Sequence, residues 1–218
     1  MAPKIESETP LNIFQPGLRR GAARLAHAPH KRYFYVEHPE EGWRVYLRSA
    51  CFIHDGTKGV PFKAEHFLVV RRTGGDPAKA SWEPPKGQME GKDAPRGKSI
   101  MQLLRENVKR EVAEEAKVER LRELWHTGLV IQSVEQDFPP NTYFQYHVFQ
   151  AQVSPKELQR AEEDFAWWAS HPAEFLALRS DEREKDAIAW YDEGAKKKMM
   201  GRWSPTLVRL YLARFGGH

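Results

Sequence analysis

The amino-acid sequence predicts an α/β fold, and three observations indicate it. Segments rich in β-branched and aromatic residues alternate with segments whose apolar residues recur at helical spacing. Hydrophobic residues make up 40% of the 218 positions, enough for a buried core. Residues 1–40 are instead rich in Pro, Arg and His and show little periodicity. We therefore predict an extended basic N-terminal arm over residues 1–40 and one α/β domain over residues 41–218.

The first strands of the domain are predicted over residues 43–53 (WRVYLRSACFI) and 65–72 (EHFLVVRR), which are β-branched and aromatic. Residues 73–81 contain adjacent glycines and a proline, which predict a loop. Residues 82–91 (WEPPKGQMEG) hold too much Pro and Gly for a helix. Within them, residues 85–90 predict a tight turn that exposes backbone carbonyls.

A long amphipathic helix is predicted over residues 100–118, because Leu103, Leu104, Val108 and Val112 recur at intervals of three or four positions, apart from the adjacent first pair. The rest of the chain continues the alternation of strands and helices. We expect strands at 125–134 and 142–153 joined by a Pro-Pro-Asn turn, a short helix from 154, a Trp-rich segment of undecided structure at 165–179, a strand at 187–191, a helix from about 192, and a final helix at 206–215.

Composition and charge narrow the class of protein. The net charge of +4 and pI of about 9.1 fit either an ordinary surface or an anionic substrate such as a nucleotide or RNA. The single cysteine, Cys51, excludes an intrachain disulfide and fits an intracellular setting. No apolar stretch approaches the roughly 20 residues that span a bilayer, so we expect no membrane association. We expect a cytoplasmic location, with a mitochondrial address as the alternative because residues 17–32 are basic and free of acids.

Three glutamates share one face of the long helix. Glu111, Glu114 and Glu115 lie at positions i, i+3 and i+4, so their like charges repel unless a cation offsets them. Carboxylate oxygens are the ligands that Mg²⁺ prefers, and Arg110 neutralises part of the charge. A solvated acidic face is the alternative interpretation. The preceding turn favours the metal site, since an oxygen near Gly87 would complete the coordination.

The segment WEPPKGQMEGKD followed by NVKREVAEEAKV resembles the Nudix box, a glycine loop followed by a helix bearing one arginine and three glutamates. In this resemblance Gly87 takes the place of the box glycine, and Arg110 that of the box arginine. It covers residues 43–215 and implies a Nudix fold, an α/β/α sandwich around a mixed β-sheet. Within it, AIAWYDEGA at 187–195 is similar to a strand-and-helix segment that follows the box.

The chain departs from the family pattern at two places. Gly87 and Arg110 are 23 positions apart, nine more than the usual 14, and we place the extra residues within 94–103. Asp93 then takes the position of the box acid. Counting back from Arg110 instead places Gln102 there, which would leave the role of the acid vacant. Lys117 replaces a glycine that normally forms a left-handed turn, which implies either backbone strain or a longer helix.

The resemblance implies a Mg²⁺-dependent hydrolase, with Mn²⁺ as the alternative ion, that cleaves a diphosphate linkage in a substrate linked to a nucleoside diphosphate. Arg110 would orient a glutamate, and the general base would be Glu111 or an outer acid, for which we prefer Glu184 to Glu182. The implied metal ligands are the Lys86 carbonyl, Glu111, Glu114 and Glu115. Predicted substrate-binding residues are Arg71, Arg72, Lys86, Gly87, Tyr143 and Tyr146.

Among subgroups of the family, the box is most similar to dinucleoside polyphosphate hydrolases, which act on molecules such as Ap4A, and to inositol pyrophosphate hydrolases. Hydrolysis of an mRNA cap or of ADP-ribose is the alternative activity. A Nudix-fold subunit that binds RNA without catalysis is the alternative from another class of protein. The basic arm and the nine-residue insertion are the features that suggest it. The expected partner is an anionic small molecule, with RNA as a second candidate.

Overall fold

A computed structural model describes residues 4–5, 9–25, 28–74, 82–94, 97–134, 138–180, 182–192, 199, 201 and 203–217. It contains both strands and helices, and the predicted α/β class is confirmed. The strands are β1 (Lys4–Ile5), β2 (Arg19–Leu25), β3 (Ala28–Glu37), β4 (Arg44–Asp55), β5 (Leu68–Arg72), β6 (Trp82–Glu83), β7 (Lys86–Gln88), β8 (Leu121–Val134), β9 (Thr142–Val153) and β10 (Lys185–Trp190). The helices are α1 (Ile100–Ala116), α2 (Pro155–Ser170), α3 (Pro172–Ala177) and α4 (Ser204–Phe215).

The strands form two sheets. The larger sheet has the order β1-β8-β9-β4-β3-β2, and β7 also pairs with β4. Strand β4 is buried from Val45 to His54, as expected for a β-branched and aromatic strand with neighbours on both sides. The smaller sheet has the order β10-β5-β6, in which β5 pairs antiparallel with both neighbours.

The chain divides into two compact units. The first comprises Met1–Ala50, Gly87–Val108 and Gly128–Val148. The second comprises Cys51–Lys86, Lys109–Thr127 and Phe149–His218. The predicted glutamates of the helix therefore belong to the second unit.

Aromatic packing forms the core of the first unit. Tyr46 stacks on Phe144 at 5.2 Å between ring centroids, and Leu25, Ala28 and Tyr33 complete the buried cluster. Part of the segment predicted as an extended basic arm contributes here, because β2 and β3 form an antiparallel hairpin and β3 pairs with β4. The strand arises from the aromatic and β-branched run at residues 33–36, which the surrounding Pro and Arg residues obscure in the sequence. The domain boundary at residue 41 stays a prediction.

In the second unit, ring stacking attaches the last helix to strand β4. The rings of Phe52 and Tyr211 lie 3.6 Å apart at 6°, and those of Phe67 and Tyr191 lie 4.7 Å apart at 13°. All four side chains are buried. This core fixes the smaller sheet and helix α4 around the residues that form the candidate site.

Helix α1 begins and ends close to the predicted positions. Its N-terminus has a capping box, in which the Ser99 hydroxyl accepts from the Gln102 N–H at 3.2 Å and Gln102 Oε1 accepts from the Ser99 N–H at 2.8 Å. The final residues of the predicted insertion are therefore the first turn of the helix. The helix ends at Ala116, and Lys117 adopts a left-handed φ of 57°. Of the two expectations for Lys117, backbone strain or a longer helix, the structure therefore has the strained backbone.

The structure corrects one other expectation and settles one that the sequence left open. The tight turn expected over residues 85–90 is largely the short strand β7, because its backbone pairs with β4. The Trp-rich segment, whose structure was undecided, is helical. Helix α2 follows its Ser154 cap and runs for 16 residues from Pro155 to Ser170, and a break precedes Pro172 and α3. The predicted loop beyond Gly74 and the start of the helix predicted from about residue 192 fall largely outside the described residues.

Candidate active site

The three helical glutamates are largely shielded from solvent. The exposed side-chain fractions are 12% for Glu111, 20% for Glu114 and 5% for Glu115. The guanidinium of Arg110 joins two of them, with Nη2 at 2.8 Å from Glu111 Oε1 and Nη1 at 3.0 Å from Glu114 Oε2. The solvated acidic face, our alternative interpretation, is therefore not what the structure has. Shielded like charges held by one arginine are instead typical of a functional site.

Glu115 connects the helix to the segment that precedes Gly87. Its Oε2 atom accepts a hydrogen bond from the backbone N–H of Lys86 at 2.8 Å. Its Oε1 atom lies 2.8 Å from the ammonium of Lys185, at the start of β10. The two halves of the predicted motif thus meet in space, as the resemblance implies, although they are 29 positions apart in the chain.

A second buried carboxylate, Glu83, belongs to the same network. It forms ion pairs with the ammonium groups of both Lys86 and Lys185, and the Ser204 hydroxyl donates to its Oε2 atom at 3.2 Å. Burial alone would raise the pKa of Glu83, but the two lysines lower it to about 2. Burial likewise opposes the charge of Lys185, yet Glu115 and Glu83 raise its pKa above the ordinary lysine value. Both groups are therefore held in their charged forms.

Glu111 is the most perturbed carboxylate of the helix. Burial raises its pKa to about 8, Arg110 opposes that shift, and the like charges of Glu115, Glu114 and Glu184 add to it. A desolvated carboxylate among like charges, with hard oxygen donors around it, fits a divalent cation such as Mg²⁺. Among the described residues, no three carboxylate, imidazole or thiol side chains already surround one point at ligand distances. The carboxylate oxygens of the helix are thus of the kind that binds such an ion. In the structure, Glu111 and Glu114 pair with Arg110, and Glu115 pairs with Lys185.

The segment before β10 brings the predicted outer acid to the site. Glu184 is exposed, and its carbonyl accepts from the Thr73 N–H at 2.9 Å. Its charge is among those that raise the pKa of Glu111, so the two carboxylates are neighbours. Lys117 fixes the same segment, because its ammonium donates to the Glu182 carbonyl at 2.7 Å and to the Glu114 carbonyl at 2.8 Å.

The predicted arginines of β5 differ in their surroundings. Arg71 is half-buried and forms an ion pair with Asp186, in which Arg71 Nε lies 2.7 Å from Asp186 Oδ1. Arg72 is exposed and lines an open cavity of about 410 Å³ together with Arg183 and Glu184. Arg72 is therefore better placed than Arg71 to meet an anionic substrate beside the outer acid.

The other predicted binding residues lie in the first unit. Gly87 belongs to β7, Tyr143 is half-buried, and Tyr146 is buried with the Arg48 guanidinium 5.4 Å from its ring centroid. Their roles toward a substrate stay predictions. The Asp93 carboxylate accepts from the Glu90 N–H at 2.9 Å in a short 3₁₀ turn, and its support of Arg110 also stays a prediction.

Sequence reasoning missed Glu83 and Lys185 as members of the site. The two residues are 102 positions apart, so no local spacing connects them. One signal was present: each is a charged residue at the edge of an apolar or Pro-rich strand segment, where a buried charge requires a partner.

No helix of the described part of the chain has the length and apolar character that crossing a membrane requires. No protein-family model matches the sequence, and no curated protein matches it.

Several solved structures are similar to this chain at low sequence identity. A bifunctional NMN adenylyltransferase/ADP ribose pyrophosphatase from Francisella tularensis, complexed with AMP and Mn ion, is 13% identical with a TM-score of 0.37; the match covers 78% of this chain and 42% of that one. A C. elegans Ap4A hydrolase is 17% identical with a TM-score of 0.34, over 66% of this chain and 78% of the other. A mutT/nudix family protein from Listeria innocua is 17% identical with a TM-score of 0.31, over 66% and 76%.

Proposed function

We propose that this protein is a divalent-metal-dependent hydrolase of the Nudix type, which cleaves a diphosphate linkage in a nucleotide-derived substrate. The observation that carries the proposal is the contact between Glu115 and the backbone N–H of Lys86. It joins the glutamate face of α1 to the segment before Gly87, which the motif requires. A chance acidic helix has no reason to bury its glutamates against that segment.

The metal site would be formed by the oxygen donors of the helix. Glu111, Glu114 and Glu115, with the Lys86 carbonyl, would hold Mg²⁺ or Mn²⁺. When bound, the ion supplies positive charge to the diphosphate and acidifies the attacking water. Arg110 keeps two of the glutamates in place through charge-assisted hydrogen bonds.

Glu184 is the proposed general base. It is an exposed carboxylate beside Glu111, and its segment is fixed through Thr73 and Lys117. In the reaction it would take a proton from water as the water oxygen bonds to phosphorus and the bridging oxygen leaves with the other phosphate. Glu111 is the alternative base.

The proposed substrate is highly anionic. Arg72 and Arg183 line the cavity that also holds Glu184, so cationic groups flank the outer acid. Side chains of this kind favour several phosphates in one ligand. We therefore propose a dinucleoside polyphosphate such as Ap4A, with inositol pyrophosphates, ADP-ribose and capped RNA as the other substrates to compare.

Hydrolysis of this panel with Mg²⁺ or Mn²⁺ tests the proposal. We expect the natural chain to release nucleotide or phosphate from at least one member, and Glu115→Gln to be slower by about 100-fold or more. Glu106→Gln is the matched control, because Glu106 lies exposed on the same helix and pairs with Lys98. Equal rates for the natural chain and Glu115→Gln on every member would contradict the proposal. RNA binding that survives Glu115→Gln without any turnover would support the RNA-binding alternative instead.

A further inference from the structure

The ammonium of Lys185 lies between two buried carboxylates. It forms ion pairs with Glu83 and, at 2.8 Å, with Glu115 Oε1, and only 3% of its side chain is exposed. A lysine buried to this degree requires compensation for lost hydration, and two carboxylates provide it. Neither the motif nor the proposed reaction accounts for this cation.

Two acceptor positions of Glu115 are already occupied, one on each carboxylate oxygen. An ionised carboxylate offers about four acceptor positions on its two oxygens. The Lys86 N–H takes one position on Oε2, and the Lys185 ammonium takes one on Oε1. Any ion that approached Oε1 from the side of β10 would meet the positive charge of Lys185 at contact distance.

We propose that Lys185 is a resident cation that takes the place of a second divalent ion at Glu115, so that the site loads a single divalent ion on the side of Glu111. This inference rests on the proposed function. It assigns Lys185 a positioning role, because the residue acts through Glu115 and Glu83 and not through contact with the substrate. Removal of the ammonium frees oxygen donors on both carboxylates.

Mn²⁺ binding without substrate tests the inference, measured by electron paramagnetic resonance of free Mn²⁺ and by calorimetry. We expect about one Mn²⁺ per chain for the natural protein and about two for Lys185→Met. Lys98→Met is the control, because its ammonium is exposed and pairs with the exposed Glu106 of α1. It should keep the stoichiometry of the natural chain. Two ions in the natural chain, or one ion in a folded Lys185→Met, would overturn the inference.

A second variant covers the case in which Lys185→Met does not fold. In Glu83→Gln with Lys185→Met, one buried carboxylate is removed together with the ammonium, so the buried charge stays balanced. Glu115 is still released from Lys185, and we again expect an additional Mn²⁺. An unchanged stoichiometry in this double variant would also overturn the inference.

Failure of the inference and failure of the proposed function give different results. If the function is wrong, the natural chain neither turns over the substrate panel nor binds Mn²⁺ in a way that Glu111→Gln abolishes. If only the inference is wrong, the natural chain retains turnover and Glu111-dependent Mn²⁺ binding, while removal of Lys185 leaves the number of ions unchanged.

Discussion

At the scale of single residues, burial determines the charge of His54. Its Nδ1 lies 2.7 Å from the His66 carbonyl and its Nε2 lies 2.7 Å from the Tyr211 hydroxyl. Because a carbonyl only accepts, Nδ1 carries the proton and Nε2 accepts from the tyrosine. Burial lowers the pKa of His54 to about 4, so the ring is neutral in the folded protein at neutral pH.

We predict that His54 makes stability depend on pH. Its pKa is lower in the folded than in the unfolded chain, so the unfolded chain binds more protons between about pH 6.5 and 4. The stabilisation is present above pH 6.5 and is lost as the pH falls through that window, by up to about 3 kcal/mol. In His54→Gln, which cannot gain the proton, the loss measured by urea unfolding at pH 7 and pH 4.5 should be smaller. An equal loss of stability in the natural chain and in His54→Gln would contradict the prediction. His171→Gln, altered at the end of α2, serves as the control.

At the scale of secondary structure, the end of α1 depends on one strained lysine. Lys117 has a φ of 57°, a region that L-residues other than asparagine and aspartate seldom adopt. Its side chain compensates, because the ammonium donates to the carbonyls of Glu114 and Glu182. The first contact satisfies a carbonyl of the last helical turn, and the second fixes the segment that carries Glu184.

Two substitutions at Lys117 separate the strain from the hydrogen bonds. Lys117→Met keeps the strained backbone and loses both contacts, so we expect a loss of about 1–3 kcal/mol in the free energy of unfolding. Lys117→Gly loses the same contacts but relieves the strain, so it should be more stable than the Met variant by about 1 kcal/mol. On the proposed function, both variants should also turn over substrate more slowly, because the Glu182 carbonyl is released. A Met variant as stable as the natural chain would show that the ammonium contributes nothing.

At the scale of the whole molecule, the C-terminal helix closes the core of the second unit. Tyr211 of α4 stacks on Phe52 of β4, and its hydroxyl bonds to both His54 and Gln150. Tyr211 is fully buried, so one side chain links the last helix to two strands of the larger sheet by packing and by hydrogen bonds.

Two changes at Tyr211 measure these contributions. Tyr211→Phe keeps the stack and leaves two buried polar partners without the hydroxyl, which should cost about 1–3 kcal/mol. Tyr211→Ala also removes the ring and should cost about 3–5 kcal/mol. Chemical unfolding gives both values, with the exposed Arg209→Ala as the control on the same helix. An Ala variant no less stable than the Phe variant would show that the stack is unimportant.

Local pattern explains which parts of the fold were predictable. Helix α1 and strands β4, β5 and β9 have strong periodicity or β-branched composition, and the structure has them close to the expected bounds. The hairpin β2–β3 lies in a segment of Pro, Arg and His, and β3 pairs with β4, the next strand along the chain. The Pro and Arg residues around the aromatic run at 33–36 conceal its strand pattern, so the sequence did not show it.

The glutamate face of Arg110–Glu115 follows from the sequence alone, because helical spacing brings Glu111, Glu114 and Glu115 to one side. The tertiary structure decided which groups meet that face. Lys185 and Glu83 reach Glu115 and each other across long chain separations, and burial makes their charges depend on one another. Spacing along a helix is a local property, whereas the pairing of buried charges depends on which distant strands pack together.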